Sequence, residues 1–300
     1  MKISNRLSLS TLICILVVCM STSANAQNQF EDAIEQFESE SVTGYLQPFL
    51  NGFGANLNSG FAGTAKLENE LVIRLEAVGM ATLIGGAEET FKAIPPAPFN
   101  QQKVETATIF GDQGATVTGA EGIQYKYQNG VFDLDYFPLA VPQLTIGNYY
   151  HTQVKLRYFG YTGQDDVPDI QLLGFGIQHG LTQYFGQLPL DLSVALFYQQ
   201  FKIGDIIESD AFAIAGMGSK EFGILTIYGG VQYEKTQMDL NYTRSGSSDI
   251  ENSQVDLTFD AENSIRGYAG LGLDLSIVHI RTDINIGNVS VLSASIGFGI

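Results

Sequence analysis

The sequence predicts an all-β fold, an antiparallel transmembrane β-barrel. The first observation is an apolar side chain at every second position of residues 290–300, namely Leu292, Ala294, Ile296, Phe298 and Ile300. Successive side chains of a strand point to opposite faces, so one face of this strand is apolar and the other is small or polar. The second observation is that several upstream segments repeat the alternation, and the third is a secretion signal at the start. Alternating segments of about ten residues are typical of transmembrane barrels, and a secreted soluble β-sandwich is the alternative.

The predicted signal peptide covers residues 1–26. Lys2 and Arg6 give it a positive start, residues 12–20 form a short apolar run, and Ala24-Asn25-Ala26 is a small-x-small cleavage site. The run is too short for a membrane-spanning helix, which needs roughly 20 apolar residues. We therefore expect export and cleavage after Ala26.

Composition excludes several function classes. The formal net charge of the chain is −17, and loss of the signal, which holds two basic and no acidic residues, makes it −19. Such a surface repels nucleic acid, so no nucleic-acid partner is expected. Cys14 and Cys19 both lie in the signal. The processed chain therefore has no disulfide, no thiolate metal site and no cysteine nucleophile.

Long alternating segments near the C-terminus favour a barrel over a sandwich. In residues 278–287 the apolar positions alternate with polar ones, namely His279, Arg281, Asp283 and Asn285. Residues 254–277 keep apolar side chains at ten of their twelve odd positions, which predicts a single strand much longer than the roughly 3–10 residues usual in globular proteins. Residues 222–243 are its expected partner. The polar residues 244–253 between them predict an outward-facing hairpin.

The strand number follows from counting these segments. Eight strands are expected from Tyr150 onward, and residues 66–147 must supply an even number more. Prolines, which cannot donate to a β-ladder, interrupt that region at Pro95, Pro96, Pro98, Pro138 and Pro142. The expected total is ten or twelve strands, with twelve preferred. Short links such as residues 276–278 alternate with longer ones such as residues 203–209, which places the C-terminus on the periplasmic side.

The segment before the barrel has a different pattern. Apolar residues at 30, 33, 34 and 37 predict a short amphipathic helix, and those at 46, 49, 50 and 53 suggest a second, weakened by Pro48 and Gly52. Residues 27–65 are expected either to plug the barrel lumen or to lie across its periplasmic rim. The predicted organisation is therefore a signal peptide (1–26), a helical plug or rim segment (27–65) and an outer-membrane barrel (66–300).

The polar faces of the predicted strands supply candidate lumen-lining residues. Barrel interiors are polar, and the charged side chains opposite the apolar stripes should point inward. The candidates are Arg74, Glu76, Lys155, Arg157, His279, Arg281 and Asp283.

Catalysis and metal binding are not expected. His279, Arg281 and Asp283 project the same way along one strand, but same-face neighbours stand about 6–7 Å apart, too far for a direct His–Asp hydrogen bond. No catalytic residue, cofactor or metal site is predicted, and the protein is not expected to be an enzyme. Asp165, Asp166 and Asp169 could offer oxygen ligands to Ca²⁺, but a solvated acidic loop is the favoured interpretation.

Several segments also carry a resemblance to a known family. These are Tyr45-Leu46-Gln47-Pro48-Phe49, Leu57-Asn58-Ser59-Gly60, Arg157-Tyr158, Gly174-Phe175-Gly176-Ile177-Gln178-His179, Phe197-Tyr198-Gln199 and Gly223-Ile224-Leu225-Thr226-Ile227-Tyr228-Gly229-Gly230. In them the chain resembles a Bacteroidota outer-membrane β-barrel family whose domain has no known function. The resemblance implies fold and location, and no site residues. A more distant likeness, of architecture alone, is to fatty-acid transporter barrels, which also carry an N-terminal hatch.

Two functions remain open on the sequence. The first is an outer-membrane channel or transporter for a small, hydrophobic solute, gated by the N-terminal segment. The second is a structural or adhesive barrel with a packed interior, which ten strands would favour. The expected partners are outer-membrane lipid, the barrel-assembly machinery during insertion and, for a transporter, the solute. The expected location is the bacterial outer membrane.

Overall fold

The computed structural model describes residues 39–67, 69–99, 102–163, 168–186, 188–244 and 253–300. The predicted signal peptide, the predicted helix at residues 30–37, Asp165, Asp166 and the tip of the predicted hairpin at residues 245–252 lie outside the described residues. The helices are α1 (Ser39–Leu57) and α2 (Gly86–Glu89), with 3₁₀ turns at Ala120–Gly122 and Thr182–Tyr184. The strands are β1 (Val72–Leu83), β2 (Thr90–Ala93), β3 (Val104–Ala107), β4 (Thr116–Thr118), β5 (Gln124–Lys126), β6 (Tyr136–Tyr149), β7 (Thr152–Tyr161), β8 (Ile170–Gly180), β9 (Asp191–Ile203), β10 (Ile207–Phe222), β11 (Leu225–Arg244), β12 (Ser253–Asp260), β13 (Ile265–Leu275), β14 (Val278–Ile286) and β15 (Val291–Gly299).

The large sheet closes on itself as a ten-stranded antiparallel barrel. From β6 onward each strand pairs with the next, β15 pairs with β1, and β1 pairs with β6. Strands β12 and β13 both pair with β11 and together occupy one place in the wall. The predicted antiparallel barrel is confirmed, with the lower of the two expected strand numbers. Residues 66–147 supply two wall strands, because residues 84–135 leave the wall.

The two ends of the barrel differ. At one end, here the C-terminal end, β15 finishes and β1 begins; at the other, the cap end, residues 84–135 form a cap. The cap contains the hairpins β2–β3 and β4–β5 and packs on α1. The Tyr45 hydroxyl donates to the Asn129 carbonyl at 2.8 Å, and the Ile109 amide donates to the Tyr45 carbonyl at 3.1 Å. Burial raises the pKa of the Tyr45 hydroxyl, which keeps it a neutral donor.

Polarity reverses along the wall strands between the two ends. On β11 the outward side chains of Ile227 and Val231 are exposed and apolar, while the inward Gln232 and Glu234 are buried and polar. Towards the cap end the outward positions become polar, at Lys235, Gln237 and Asp239, and the inward Met238 and Leu240 are buried and apolar. The outer apolar band therefore ends part of the way up the barrel, and the strands project beyond it.

The predicted single long strand at residues 254–277 is wrong in one respect. The segment breaks at residues 261–264, and its two halves, β12 and β13, present odd positions to opposite faces. Phe259 is buried inside the barrel, whereas Ile265 and Leu271 are exposed on the outside. The apolar pattern runs through the break unchanged because both environments, the core under the cap and the outer band, accept apolar side chains.

Helix α1 lies inside the barrel at the cap end. Its apolar residues are spaced for one helical face and are buried, at Leu46, Leu50, Phe53 and Leu57. Pro48 stands inside this helix although it removes a hydrogen-bond donor. Packing from the wall and the cap stabilises the helix against that loss, as tertiary contacts commonly do for short helices.

One stretch of the wall lacks its ladder. Strand β6 pairs with β1 along Tyr136–Gly147 but with β7 only from Gln143 onward. Within the described residues, β6 has no ladder partner on β7 before Gln143, which is paired with Arg157. Pro138 and Pro142 lie in this stretch with their rings outward and have no N–H to donate. We call the stretch the β6–β7 seam.

The connections at the cap end depart from expectation at one point. Residues 203–209 were expected to be a longer loop, but β9 and β10 are joined by a tight turn over residues 204–206. Gly204 has φ +50°, the left-handed region that favours glycine, and its amide donates to the Asp169 carbonyl at 2.8 Å. The turn is held against the neighbouring loop and continues the ladder of both strands.

Candidate functional site: the filled lumen

All seven candidate residues lie on the inner face of the wall. Six are buried, and Arg74, near the C-terminal end of the barrel, is half-buried. They fall into two groups: Glu76, Lys155 and Arg157 lie beside the chain that enters from the N-terminus, whereas Arg74, His279 and Arg281 lie near the C-terminal mouth. Asp283 lies between the groups. Their lumen-lining role in a water-filled channel stays a prediction, because the lumen around them is occupied by residues 39–67, which we call the plug.

Arg157 and Lys155 hold the plug through its backbone carbonyls. Arg157 Nη2 donates to the Ser59 carbonyl at 3.0 Å, and Arg157 Nη1 lies 3.4 Å from the Leu57 carbonyl. The Lys155 ammonium donates to the Phe61 carbonyl. The Arg157 guanidinium carbon also lies 3.5 Å from the centre of the Phe61 ring, a cation–π contact. Two adjacent charges on β7 therefore clasp residues 57–61.

The Glu76 carboxylate points along the wall towards the neighbouring strand β6 rather than towards the plug. Its Oε2 accepts from Gln143 at 2.9 Å and from Thr145 at 2.6 Å. Gln143 in turn accepts from Arg157 Nε at 2.9 Å. The Glu76 carboxylate is thus linked to the Arg157 guanidinium through the side-chain amide of Gln143. Together these side chains form a connected polar network that offsets the buried positive charges of β7.

A second clasp comes from the opposite side of the barrel. Arg266 Nη2 lies 2.6 Å from Glu234 Oε1, and Arg266 Nη1 donates to the Ala55 carbonyl at 3.1 Å and to the Ser59 hydroxyl. Gln232 donates to the Asn58 carbonyl at 2.9 Å. The plug is therefore gripped from two sides at residues 55–61, mostly by contacts to its backbone.

Beyond this point the plug leaves along one arc of the wall. Gln178 Nε2 donates to the Thr64 carbonyl at 2.9 Å, and the Ala65 amide donates to the Ser219 hydroxyl at 2.8 Å. Lys66 Nζ and Glu221 form an ion pair at 2.9 Å. These partners belong to β8 and β10. Before reaching them the chain passes β14, because a Cβ on Gly63 would lie 3.7 Å from Arg281 Nε.

The C-terminal mouth carries a His–Asp pair that the sequence spacing did not predict. His279 Nδ1 lies 2.6 Å from Asp274 Oδ1, and Arg281 Nη2 contacts the same oxygen at 2.6 Å. Asp274 lies directly opposite His279 on the neighbouring strand β13. Asp283 instead accepts from the Tyr228 hydroxyl at 2.9 Å and from Asn285 and Ser293 at 2.5 Å each. The His–Asp pair thus forms across two strands rather than along one.

Two spaces lie beside the plug. One, of about 10 Å³, sits between the plug and the wall near Phe61, Phe197 and Tyr268, and has room for about one water molecule. Another, a groove of about 330 Å³, lies at the cap end where α1, the cap and residues 262 and 288–289 meet. In the part of the chain that the structure describes, the plug closes the axis of the barrel.

Several residues that build this arrangement were not among the candidates. They are Gln143, Gln178, Gln199, Gln232, Glu234 and Arg266, all buried on the inner face. Glu234 and Arg266 stand at polar positions of alternating segments, so the face could be predicted from the sequence. Their ion pair could not, because it depends on the register between β11 and β13.

The described residues contain neither a candidate metal site nor a helix that could span a membrane. No group of three or more His, Cys, Asp or Glu side chains there is arranged to hold a metal ion. None of the helices in the same ranges is both long and apolar enough to cross a membrane.

Comparison with known proteins gives a family and several barrels. The chain belongs to the family of unknown function DUF6588, whose model matches residues 1–300. No curated protein matches it. Among solved structures it is similar to a loop-deletion mutant of OmpT, an outer membrane protein of Vibrio cholerae (8% identity, 77% of this chain and 99% of that chain, TM-score 0.28). It is also similar to the attachment invasion locus protein Ail of Yersinia pestis (10% identity, 76% and 97%, TM-score 0.23) and to the translocator domain of the autotransporter NalP from Neisseria meningitidis (12% identity, 94% and 98%, TM-score 0.25).

Proposed function

We propose that this member of the DUF6588 family is an outer-membrane barrel that transports a small apolar solute sideways, through its cap-end half and the β6–β7 seam. The observation that carries the proposal is the seam itself. It is the stretch of β6 that has no ladder partner on β7 in the described residues, and it borders the apolar core at the cap end. We expect no catalytic activity.

The outer surface supports residence in a membrane. Large apolar side chains such as Leu75, Ile227 and Ile296 are exposed on the outside of a closed barrel, which leaves no sheet edge in lipid. The predicted signal peptide would deliver the chain across the inner membrane, and insertion would use the barrel-assembly machinery. The resemblance to Bacteroidota barrels fits the same location.

The interior favours a lateral route over an axial one. Below the cap-end half, buried arginines of the wall donate hydrogen bonds to the plug at residues 55–61. Moving the plug out of the lumen would leave these charges without partners. The cap-end half is apolar, lined at the seam by Leu139, Val141 and Phe159. Opening the seam separates no residues that are paired in the β6–β7 ladder. For an apolar solute, the free-energy barrier to passage through the seam is therefore lower than the barrier to passage along the barrel axis.

Cross-linking tests the route. Cysteines at Ala140 and Gly160 would span the seam, and cysteines at Ile177 and Leu196 would span the fully paired β8–β9 ladder as the matched control. The mature chain has no other cysteine if cleavage follows Ala26. We expect oxidation of the seam pair to reduce uptake of N-phenyl-1-naphthylamine by expressing cells to the level of non-expressing cells, with recovery on reduction. Unchanged uptake with a formed seam disulfide would refute the lateral route.

The second candidate is a structural or adhesive barrel with a packed interior. The filled lumen favours it, because wall and plug contacts leave space for about one water beside Phe61. It predicts no dye uptake above background and no conductance in planar bilayers from the intact chain. The lateral transporter also predicts no axial conductance, so dye uptake discriminates the two. The outward hairpin at residues 244–253, the expected contact surface, has its tip outside the described residues.

A further inference from the structure

We propose a phosphate-binding site on the inner wall at the C-terminal mouth, formed by Arg74 and His279 on the two sides of Gly297 of β15, with Arg281 adjacent over β13. The site is independent of solute transport. Its side chains make no hydrogen bond to plug residues 55–61. Its ligand is a phosphate group that carries one hydroxyl, either free phosphate or a phosphomonoester.

Arg74 has no hydrogen-bond acceptor among the described residues, and the nearby carboxylates of Glu76 and Asp274 act on its charge without contact. Among the described residues its guanidinium makes no hydrogen bond or ion pair, and its Nε is buried without a partner. The side chain lies across Gly297 of β15: a Cβ at that glycine would stand 2.9 Å from Arg74 Cδ. Gly297 therefore allows Arg74 to reach over β15 towards β14. A half-buried guanidinium left unpaired is costly, so an anion that occupies it would be stabilised.

His279 lies on the other side of Gly297 from Arg74, and its imidazole can accept a hydrogen bond where Arg74 can only donate one. It lies directly opposite Gly297 in the β14–β15 ladder and is 8% exposed. Its Nδ1 contacts Asp274, and because a carboxylate accepts only, Nδ1 carries the hydrogen. In the neutral imidazole the remaining Nε2 is an acceptor, and it is buried without a partner in the described residues. The site thus offers a guanidinium donor and an imidazole acceptor.

Arg74 and His279 approach the same glycine of β15 from the two neighbouring strands. Strands β1 and β14 flank β15, so Arg74 and His279 start from strands about 10 Å apart. The inward positions of β15 between them are Gly297 and Gly299. The plug contacts β8 and β10 at residues 64–65, and at Gly63 it passes Arg281, whose Nε would lie 3.7 Å from a Cβ there. Glu76 Cγ also lies beside Gly297, while its carboxylate is turned towards Gln143 and Thr145. Arg281 adds a second positive charge that Asp274 compensates in part.

This donor–acceptor pair selects a protonated oxyanion. A phosphate with one hydroxyl presents negative oxygens to Arg74, which binds phosphate through two parallel N–H donors, and an O–H to His279 Nε2. Sulfate and acetate carry no proton at neutral pH, and each would leave His279 Nε2 without its hydrogen bond. The ligand could be free phosphate or the headgroup of a phosphomonoester lipid, which share this chemistry.

Isothermal titration of the refolded full chain in phosphate-free neutral detergent tests the site. Inorganic phosphate should bind at least about tenfold more tightly than sulfate or acetate, and Arg74→Gln should weaken phosphate binding by about tenfold or more. The matched control is Lys235→Gln, which removes one exposed positive charge from the outer surface and should bind phosphate as the parent does. Gly297→Ala keeps every charge but places a Cβ against Arg74 Cδ, and it should also weaken binding.

A short-chain phosphatidic acid distinguishes the two sources. Arg74-dependent binding of the lipid alone identifies a headgroup site, and Arg74-dependent binding of inorganic phosphate identifies a site for the free anion; both support the proposal. Equal affinity for phosphate and sulfate would overturn it, as would phosphate binding that Arg74→Gln and Gly297→Ala leave unchanged in folded barrels. Failure of dye uptake through the seam would leave this result untouched.

Discussion

Arg266 and Glu234 form a buried ion pair inside the barrel, with Nη2 and Oε1 2.6 Å apart and side chains 2% and 1% exposed. Arg266 also donates to the plug at the Ala55 carbonyl, at 3.1 Å. The wall therefore orients the arginine through Glu234, and the arginine holds the plug. The plug and the wall should accordingly share one unfolding transition.

Removal of one member of this pair should destabilise the barrel strongly. Glu234→Gln leaves the Arg266 charge buried without its carboxylate, which typically costs about 3–5 kcal/mol. The measurement is the free energy of unfolding in guanidinium chloride, with the barrel refolded in detergent. The control is Lys235→Gln, which breaks an exposed pair with Asp260 at 3.5 Å and should cost at most about 1 kcal/mol. Equal effects of the two substitutions would contradict the buried clasp.

A second prediction concerns the close approach of α1 to β11. A Cβ on Gly54 would lie 2.7 Å from Thr236 Oγ1 and 2.8 Å from Thr236 Cβ. Gly54→Ala should therefore push the helix away from the wall and cost about 1–3 kcal/mol of unfolding free energy. Gly216→Ala is the control, because nothing lies within 4 Å of a Cβ there. Limited proteolysis should also cut the Gly54→Ala plug faster, and equal cleavage of the two variants would refute the predicted displacement.

Much of this architecture could be predicted from local pattern, and the remainder depends on contacts across the barrel. The inward placement of Lys155, Arg157 and His279 follows from alternation alone. The face reversal between Phe259 and Leu271 does not, since the core under the cap and the outer band both select apolar residues. Helix α1 continues through Pro48 because packing from all sides outweighs local propensity.

The seam gives a third prediction. Pro142→Thr restores an N–H donor beside β7, so the β6–β7 ladder should extend towards the cap end and dye uptake should fall. Ala140→Thr changes the same strand without adding a donor and should leave uptake unchanged. Hydrogen exchange would measure the ladder directly, with the Gly160 amide expected to gain protection in Pro142→Thr. Normal uptake despite a longer ladder would refute the role of the seam.

The most direct test of the central claim measures where the outer face of β11 lies. Single cysteines at Val231, Gln237 and Gln232 carry a fluorophore, and the barrel is reconstituted into vesicles that contain a spin-labelled lipid quencher. We predict quenching by lipid at Val231, quenching by a water-soluble agent at Gln237, and little reaction with the labelling reagent at the buried Gln232. Labelling of Val231 by a water-soluble maleimide on a protein that stays monomeric without detergent would contradict the membrane barrel.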